Sequence, residues 1–197
     1  MDEKTIETYN KGAEYYSKKF KGIGSRKQDV ERGISYTDKQ NPLIIELGCG
    51  DGRDAEEIIK FTDNYIGIDA SSEMINIARS RLPGVDFKVE DILSFKCPKE
   101  VDIIFAFASL LHLSKKEFSE VLNRYHDKLS ERGVFYISLK EGDYDRKVSR
   151  DDVGERIFYF YNEEDIKEIV GKDYKIEYSE SKIIKEVKWL TVVLRKN

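Results

Sequence analysis

Apolar residues recur at two different spacings along this chain, and the change falls near residue 40. Ahead of it, Ile6, Tyr9, Ala13, Tyr16 and Phe20 return every three or four positions, which lays one apolar stripe along a charged helix. "KGIGS" breaks that helix, and a second, weaker helical stretch runs to about Tyr36. Asn41-Pro42 closes the section, because the residue before proline is driven out of the helical region.

Beyond it, short apolar runs alternate with helical patterns. "PLIIELG" reads as a buried strand, residues 53–60 as a short helix and "NYIGIDA" as a second strand. Ser71 or Ser72 caps a helix whose apolar positions are Met74, Ile75, Ala78 and Leu82, and Pro83-Gly84 stops it. "VDFKVED" is a third strand. "VDIIFAFA", a fourth, shows almost no alternation, as expected of a strand covered on both faces. Ser114 to Glu117 form a capping box, opening a helix that carries Phe118, Val121, Leu122, Tyr125 and Leu129 on one side. Gly133 closes it and "GVFYISLK" is a fifth strand. Asn162 caps a helix to Val170, where Glu163, Glu164 and Asp165 suit the helix dipole, and Gly171 ends it. "KIEYSES" and "VKWLTVVLR" follow as an antiparallel pair of strands.

This alternation predicts an α/β fold, a Rossmann-like and mainly parallel sheet with helices on both faces. The 197 residues suit a single domain, with 1–40 as a helical lid and 41–197 as the core. In such sheets ligands bind beyond the carboxyl ends of the strands, near the point where the order reverses.

Composition narrows the function classes. Charged residues make up 37% of the chain but the net charge is only −4, so no broad basic field is available for a nucleic-acid backbone. No stretch approaches the ~20 apolar residues of a membrane span. The first residues, "MDEKTIETYNKGAEYY", contain no apolar signal region. Cys49 and Cys97 have neither metal-ligand spacing nor the numbers for a disulfide framework. The expectation is a cytoplasmic protein, a monomer or homodimer, with no metal, no membrane and no nucleic-acid partner.

The most informative stretch is "LIIELGCGDGRDAEEI", residues 43–58, where a strand runs into three glycines at alternate positions. Such a loop admits a dinucleotide, a nucleotide phosphate, S-adenosylmethionine, or nothing more than a tight turn. The dinucleotide pattern G-x-G-x-x-G needs a third glycine where Arg53 stands, and Asp51 would set a negative charge beside a pyrophosphate. No Gly-Lys-Ser/Thr follows, so a phosphate loop of that type fails. Asp69 ends the second strand, where a carboxylate accepts both hydroxyls of a ribose, and Glu90-Asp91 ends the third, where an acid can accept from an adenine amino group. Together the three strand ends suit an adenosine without phosphates. The simpler alternative is a turn followed by acids that cap helices, with Cys49 a small buried residue.

With "ELGCGDG", "GIDAS", "VEDI" and "FAFASLLHL" at four successive strand ends, the chain resembles the class I S-adenosylmethionine-dependent methyltransferases over roughly residues 40–140. "SLKEGDYD" and "RIFYFYNEEDI" are similar to a subgroup of small bacterial methyltransferases (type 11/25-like) acting on small molecules. The resemblance implies a seven-stranded sheet of order 3-2-1-4-5-7-6 with strand 7 antiparallel. It implies S-adenosylmethionine as cofactor and S-adenosylhomocysteine as product. Glu46, Gly48 and Gly50 would surround the methionine part, with Asp69 at the ribose and Asp91 at the adenine. Cys49, Gly52, Arg53, Ala70, Met74, Ile92, Phe107, Ala108 and the lid residue Tyr16 would complete the cofactor shell.

The acceptor should lie where the fourth and fifth strands end side by side. His112 follows the fourth strand and is either a base or a histidine hydrogen-bonded within its loop. Lys140, Glu141, Arg156 and Tyr159 come from the segment after the fifth strand, with a helix start expected near Arg156–Tyr161, and Tyr9 comes from the lid. Lys140 and Arg156 point to an anionic acceptor. Trp189 reads as core. The fourth strand is followed neither by an Asn/Asp/Ser-Pro-Pro-aromatic motif nor by Pro-Cys, two signatures of nucleic-acid methylation. Phe107-Ala108-Ser109 also lacks the Asp of a metal-assisted catechol site. The expected function is O- or N-methylation of a small-molecule acceptor. The alternatives are an RNA (tRNA) methyltransferase using "SKKFKG" and "SRK", or a cofactor-binding regulatory protein without turnover.

Overall fold

A computed structural model describes residues 2–197. Its helices are α1 (Glu3–Lys11), α2 (Ala13–Lys21), α3 (Lys27–Ile34), α4 (Ala55–Ile58), α5 (Ser72–Arg81), α6 (Lys115–His126) and α7 (Glu163–Val170). The strands are β1 (Ile44–Leu47), β2 (Tyr65–Asp69), β3 (Asp86–Val89), β4 (Val101–Phe107), β5 (Leu129–Lys140), β6 (Asp145–Arg150), β7 (Glu155–Phe160), β8 (Tyr174–Ile184) and β9 (Val187–Lys196). Seven of them form one sheet in the order β3-β2-β1-β4-β5-β9-β8, while β6 and β7 form a separate antiparallel hairpin. The first five strands of the large sheet run parallel and β9 enters antiparallel to β5, as the resemblance implied.

Every residue of β1 and β4 is buried, because the sheet is covered on both sides. On one side Leu47, Ile104, Phe135, Ile137 and Leu139 pack under α6 and α7. On the other, Ile44, Ile103, Phe105 and Tyr136 meet Val30 of α3, Ala55 and Ile58 of α4, and Ile75 and Ala78 of α5. Ser71 caps α5, and reciprocal capping boxes open α6 (Ser114 with Glu117) and α7 (Asn162 with Asp165). No helix among the described residues is long and apolar enough to cross a membrane.

Four expectations are corrected. The N-terminal stripe belongs to two helices, broken at Gly12, and on α1 the buried residues are Thr5 and Thr8 while Ile6 is half-exposed. The reason is the surface that α1 covers. It lies along β7, where the Thr8 hydroxyl donates to the Glu155 carbonyl (2.7 Å) and the Thr5 hydroxyl accepts from the Ile157 amide (3.1 Å). A strand edge needs hydrogen-bonding partners more than it needs apolar cover. Gly133 lies inside β5 rather than ending a helix: α6 stops at His126, and β5 pairs from Leu129 across an irregularity in its register with β4. The helix of 53–60 shrinks to the four residues of α4. Finally, the segment read as a loop and helix start is the β6–β7 hairpin, whose "RIFYFY" alternates with the two-residue period of a strand.

Candidate cofactor and acceptor site

The glycine turn continues the pairing of β1 with β2. The amides of Gly48 and Cys49 both donate to the Ile68 carbonyl, at 2.8 and 2.9 Å. Gly48 sits at φ 76°, and a Cβ there would stand 2.4 Å from the Cβ of Ser109, so this position excludes every side chain. Gly50 has nothing within 4 Å of where its Cβ would be, so the turn presents an open backbone surface. Asp69, at the end of β2, accepts from the Gly50 amide (2.9 Å) and the Ser71 amide (2.8 Å). It thus draws the glycine turn and the start of α5 together and keeps lone pairs on both oxygens for a ligand. Burial pushes its pKa up, and the two amides oppose that shift.

Glu46 is buried beneath the turn at 1% exposure and accepts a hydrogen bond of 2.6 Å from the Tyr65 hydroxyl. Burial, reinforced by the nearby Asp54 carboxylate, raises its pKa to about 8. At neutral pH it is therefore a protonated acid beneath an open turn. Ala108, just past β4, has φ 53°, a strained conformation for a residue with a side chain. The next residue, Ser109, buries its hydroxyl against Gly48 without a partner among the described residues. Glu46, Gly48, Gly50, Asp69, Ala108 and Ser109 thus converge on one space above β1, β2 and β4.

The other expected cofactor residues have the following partners within the chain. The Cβ position of Gly52 faces Ala78 and Phe87, so this glycine packs the turn against α5. Arg53 binds the Asp54 carboxylate (2.8 Å) and donates to the Phe20 carbonyl (3.2 Å), fastening the turn to α2. Met74 packs with Ala13 and Tyr16 under the lid. Asp91 accepts the Leu93 amide at 2.8 Å, and the Ile92 carbonyl accepts from the Tyr125 hydroxyl. Cys49 is buried, with its thiol pKa far above the ordinary value. Ala70 is half-buried next to Asp69. Phe107 carries the Arg26 guanidinium 5.2 Å over its ring, and the same guanidinium lies 5.5 Å from Trp189. Sequence reading had put Arg26 in a basic cluster and Trp189 in the core.

The lid closes directly over this space. Asn10 of α1 accepts from Ser71 (2.8 Å), and Ser17 of α2 donates to Asp51, which also binds Arg81 at 2.7 Å. Tyr16 is fully buried and its hydroxyl donates to both oxygens of Asp151 (3.0 and 2.9 Å) in the β6–β7 turn. A groove of about 800 Å³ lies on the outer side of α1 and α2, between Asn10, Glu14, Asn76 and Ser80. It touches neither Gly50 nor Asp69.

On the acceptor side, His112 lies in a short 3₁₀ turn after β4 and is 5% exposed. Its Nδ1–H donates to the Ile157 carbonyl (2.5 Å) and its Nε2 accepts from the Tyr9 hydroxyl (3.1 Å). Burial, with help from Arg156 and Lys140, lowers its pKa to about 4. His112 is thus a neutral imidazole with both nitrogens engaged. Lys140 and Arg156 do approach it, as expected. Tyr159 does not: alternation along β7 turns Arg156 and Phe158 toward the site and Tyr159 toward Tyr144, with ring centroids 6.0 Å apart. The aromatic wall is Phe158 instead, with its ring 4.8 Å from that of His112. Glu141 is held by Lys188 at 2.7 Å. Phe158 and Asp151 were not anticipated, because their roles depend on a hairpin that sequence reading took for a loop.

With this geometry in place, the comparisons are specific. Residues 44–133 match the family model described as a methyltransferase domain, a span that contains the glycine turn, Asp69, Asp91 and His112. Over that span the chain carries the pattern of a methyltransferase domain, and its whole fold is similar to that of S-adenosylmethionine-dependent methyltransferases. A trans-aconitate 2-methyltransferase of Rhizobium etli is 34% identical over 99 residues, covering 49% of this chain and 38% of that protein. The malonyl-[acyl-carrier protein] O-methyltransferase 2 of Ilyobacter polytropus is 27% identical over 198 residues, covering 94% and 75%. A crystal structure of an S-adenosylmethionine-dependent methyltransferase from Clostridium acetobutylicum superposes with a TM-score of 0.75 at 18% identity, covering 96% of this chain and 99% of that one.

The family's cofactor fits the space. A cationic sulfonium carrying an ammonium group suits the Asp69 carboxylate beside the bare Gly50 backbone, and Glu46 could meet the ammonium group only by releasing its proton. Two results are expected from the methyltransferase turn. Gly48→Ala should destabilise the protein by ~2–4 kcal/mol, since it combines a left-handed backbone with a collision at Ser109. In a thermal melt that is a fall of roughly 5–15 °C for a chain of this size. Glu46 keeps its proton up to about pH 8 when folded and releases it near 4.5 when unfolded. Between those values the folded state holds more protons, so its contribution to stability falls as pH rises. Glu46→Gln should flatten that part of the stability–pH curve. Calorimetry in two buffers at pH 7 should also show proton release on S-adenosylhomocysteine binding in the parent and none in the variant.

Proposed function

We propose that this protein is an enzyme that transfers the methyl group of S-adenosylmethionine to an oxygen or nitrogen of a small, anionic acceptor held between His112, Lys140 and Arg156. The observation that carries the reading is the Gly50–Asp69 turn at the carboxyl ends of the parallel strands, with α1 and α2 tying both the start of α5 and the Arg156–Asp151 pair to that end of the sheet. Relatives named for trans-aconitate and malonyl-[acyl-carrier protein] support a carboxylate-bearing acceptor.

Bound there, the cofactor supplies a methyl group activated by its positive sulfur. The protein's own residues do the rest. Asp69 would hold the ribose hydroxyls, Glu46 would lose its proton to face the ammonium group, and α1 and α2 would exclude water. The acceptor's approach is set by Lys140, Arg156 and Phe158, so positioning carries the rate. The RNA alternative loses one of its five basic residues, since the Arg26 side chain is only 17% exposed and is committed to Asp29, Asp54 and two aromatic rings.

Transfer of labelled methyl from S-adenosylmethionine into fractionated metabolites and tRNA is the deciding experiment. Label in an acidic metabolite fraction is the expected result. Salt-sensitive label in tRNA would move the reading to RNA. Cofactor binding with no transfer to any fraction, together with a stable protein partner, would move it to regulation. His112→Ala should slow turnover by no more than about tenfold, against the roughly 10²–10⁴-fold loss of a true base, and leave the pH–rate profile between 6 and 9 unchanged. Its larger effect should be on stability, ~2–3 kcal/mol, because the Ile157 carbonyl loses its donor and the Tyr9 hydroxyl its acceptor.

A further inference from the structure

Two cations, Arg156 and Lys140, flank the Phe158 ring, and Asp151 is the one carboxylate paired with either of them among the described residues. The Arg156 side chain is 8% exposed and pairs with Asp151 through Nη2 at 2.9 Å. Its guanidinium is stacked over Tyr16 (4.3 Å), Phe158 (5.3 Å) and Tyr9 (5.4 Å). Its Nε–H is buried with no acceptor among the described residues. Lys140 places Nζ 3.5 Å from the centre of the Phe158 ring and has no carboxylate within ion-pair distance among the described residues. The neighbouring acid, Glu141, is turned to Lys188. Burial and Arg156 lower the Lys140 pKa to about 8, as expected where a second positive charge is near and no anion offsets it. A buried cation with an unused N–H beside a second, unpaired cation is costly unless an anion joins them.

Both nitrogens of His112 are engaged, burial and hydrogen bonding raise the pKa of the Tyr16 hydroxyl, and Asp151 carries four donors around its two oxygens. Two groups near these cations could still take a proton: the neutral form of Lys140, and Glu141 Oε2, which is buried without a partner among the described residues while Lys188 binds the other oxygen. An anion bound at Lys140 would hold that lysine charged, so an acceptor anchored there meets no strong base.

From these two features we propose that the acceptor carries at least two anionic groups: one anchored by Lys140 and the Nε edge of Arg156 against Phe158, the other a carboxylate that is itself methylated. In that step a carboxylate oxygen forms the new C–O bond while the S–CH₃ bond breaks, the electron pair stays on sulfur, and no proton moves. The product is a methyl ester. Lys140, Arg156, Phe158 and Tyr9 all lie outside the matched span 44–133, so this anchor belongs to the parts that distinguish the chain from the shared domain. The inference rests on the methyltransferase reading for its second half only.

The test uses the full chain and a panel of malonate, succinate, glutarate, adipate and tricarballylate, with their monomethyl esters as controls. Calorimetry with S-adenosylhomocysteine present or absent is expected to show saturable binding of at least one polyanion, weakened tenfold or more in Lys140→Met. Arg156→Gln is expected to do the same, and Lys140→Met keeps the test valid should the arginine variant fold poorly. With labelled S-adenosylmethionine, that polyanion should become labelled, the label should leave as methanol in alkali, and Lys140→Met should raise KM tenfold or more with kcat changed less than threefold. Equal binding of half-esters and diacids, no binding by any panel member, unchanged affinity in Lys140→Met, or an alkali-stable methyl product would each overturn the proposal. Loss of S-adenosylhomocysteine binding with polyanion binding intact would instead overturn the methyltransferase reading and leave the anchor standing.

Discussion

Asp69→Ala is expected to weaken S-adenosylhomocysteine binding by roughly 30- to 300-fold, the equivalent of ~2–3.5 kcal/mol. Two effects add. The variant loses the carboxylate that would take the ribose hydroxyls, a charge-assisted pair of hydrogen bonds. It also releases the amides of Gly50 and Ser71, which Asp69 now holds at 2.9 and 2.8 Å, so the turn and the start of α5 lose their common anchor. Asp69→Asn separates the two: its single carbonyl can keep one amide but not the charge, and an intermediate affinity is expected. Calorimetry gives the affinities and a thermal melt gives the stability cost, which should stay within ~1–2 kcal/mol because ionising a buried Asp69 already opposes folding. Undiminished affinity in the alanine variant would remove Asp69 from the cofactor site. Tight dinucleotide binding with none for S-adenosylhomocysteine would contradict the cofactor itself.

Removing residues 1–20 is expected to leave a folded seven-stranded sheet and to abolish most turnover, by a hundredfold or more. The sheet has its own two-sided core without α1 and α2, which add only the small cluster of Ala13, Tyr16 and Met74. What the lid holds is the β6–β7 hairpin. Thr5 and Thr8 complete the backbone hydrogen bonds of β7, Tyr16 binds Asp151, and the rings of Tyr9 and Tyr16 support Arg156. Without them the hairpin keeps its own pairing, some contacts with β5 and the bond and ring contact to His112, and as a two-stranded ribbon with one side uncovered it is expected to loosen. The measurement is amide exchange. Residues 145–160 should exchange far faster in the truncated protein while β1, β4 and β5 stay protected, and S-adenosylhomocysteine should bind more weakly because the space over Gly50 is open to water. A truncated protein with the full methyl-transfer rate and a protected hairpin would show that α1 and α2 are scaffold only. Tyr16→Phe, which deletes one hydroxyl, should give a small part of the same effect.

The parallel strands, the two capping boxes, the glycine turn and Asp69 were all legible in the sequence, because each is set by residues close in the chain. A run of apolar residues ending in "ELGCGDG" has few other backbone solutions, and strand–helix alternation leaves one handedness for each crossover. The roles of Gly52, Arg53 and Met74 were not legible: they stand within reach of the turn, but which way each side chain faces depends on α2 and α5 packing against it.

Beyond β5 the local signals weaken. "DRKVSRDDVGERIFYF" is charged and its alternation is partial, so it suits a loop as well as a hairpin until α1 supplies the missing edge partners. That pairing of residues more than a hundred positions apart turns Arg156 and Phe158 inward and Tyr159 outward, and takes the Nδ1 proton of His112 to the Ile157 carbonyl. The sequence by itself determined a class I methyltransferase sheet with a cofactor turn at its carboxyl edge, since hydrophobic period, caps and glycines act over a few residues. Only the tertiary structure decided that the histidine is a neutral, doubly bonded strut and that Lys140 and Arg156 meet at the Phe158 ring with Asp151 paired to the arginine alone. Charge balance and hydrogen-bond satisfaction in a buried space are sums over every segment that closes it.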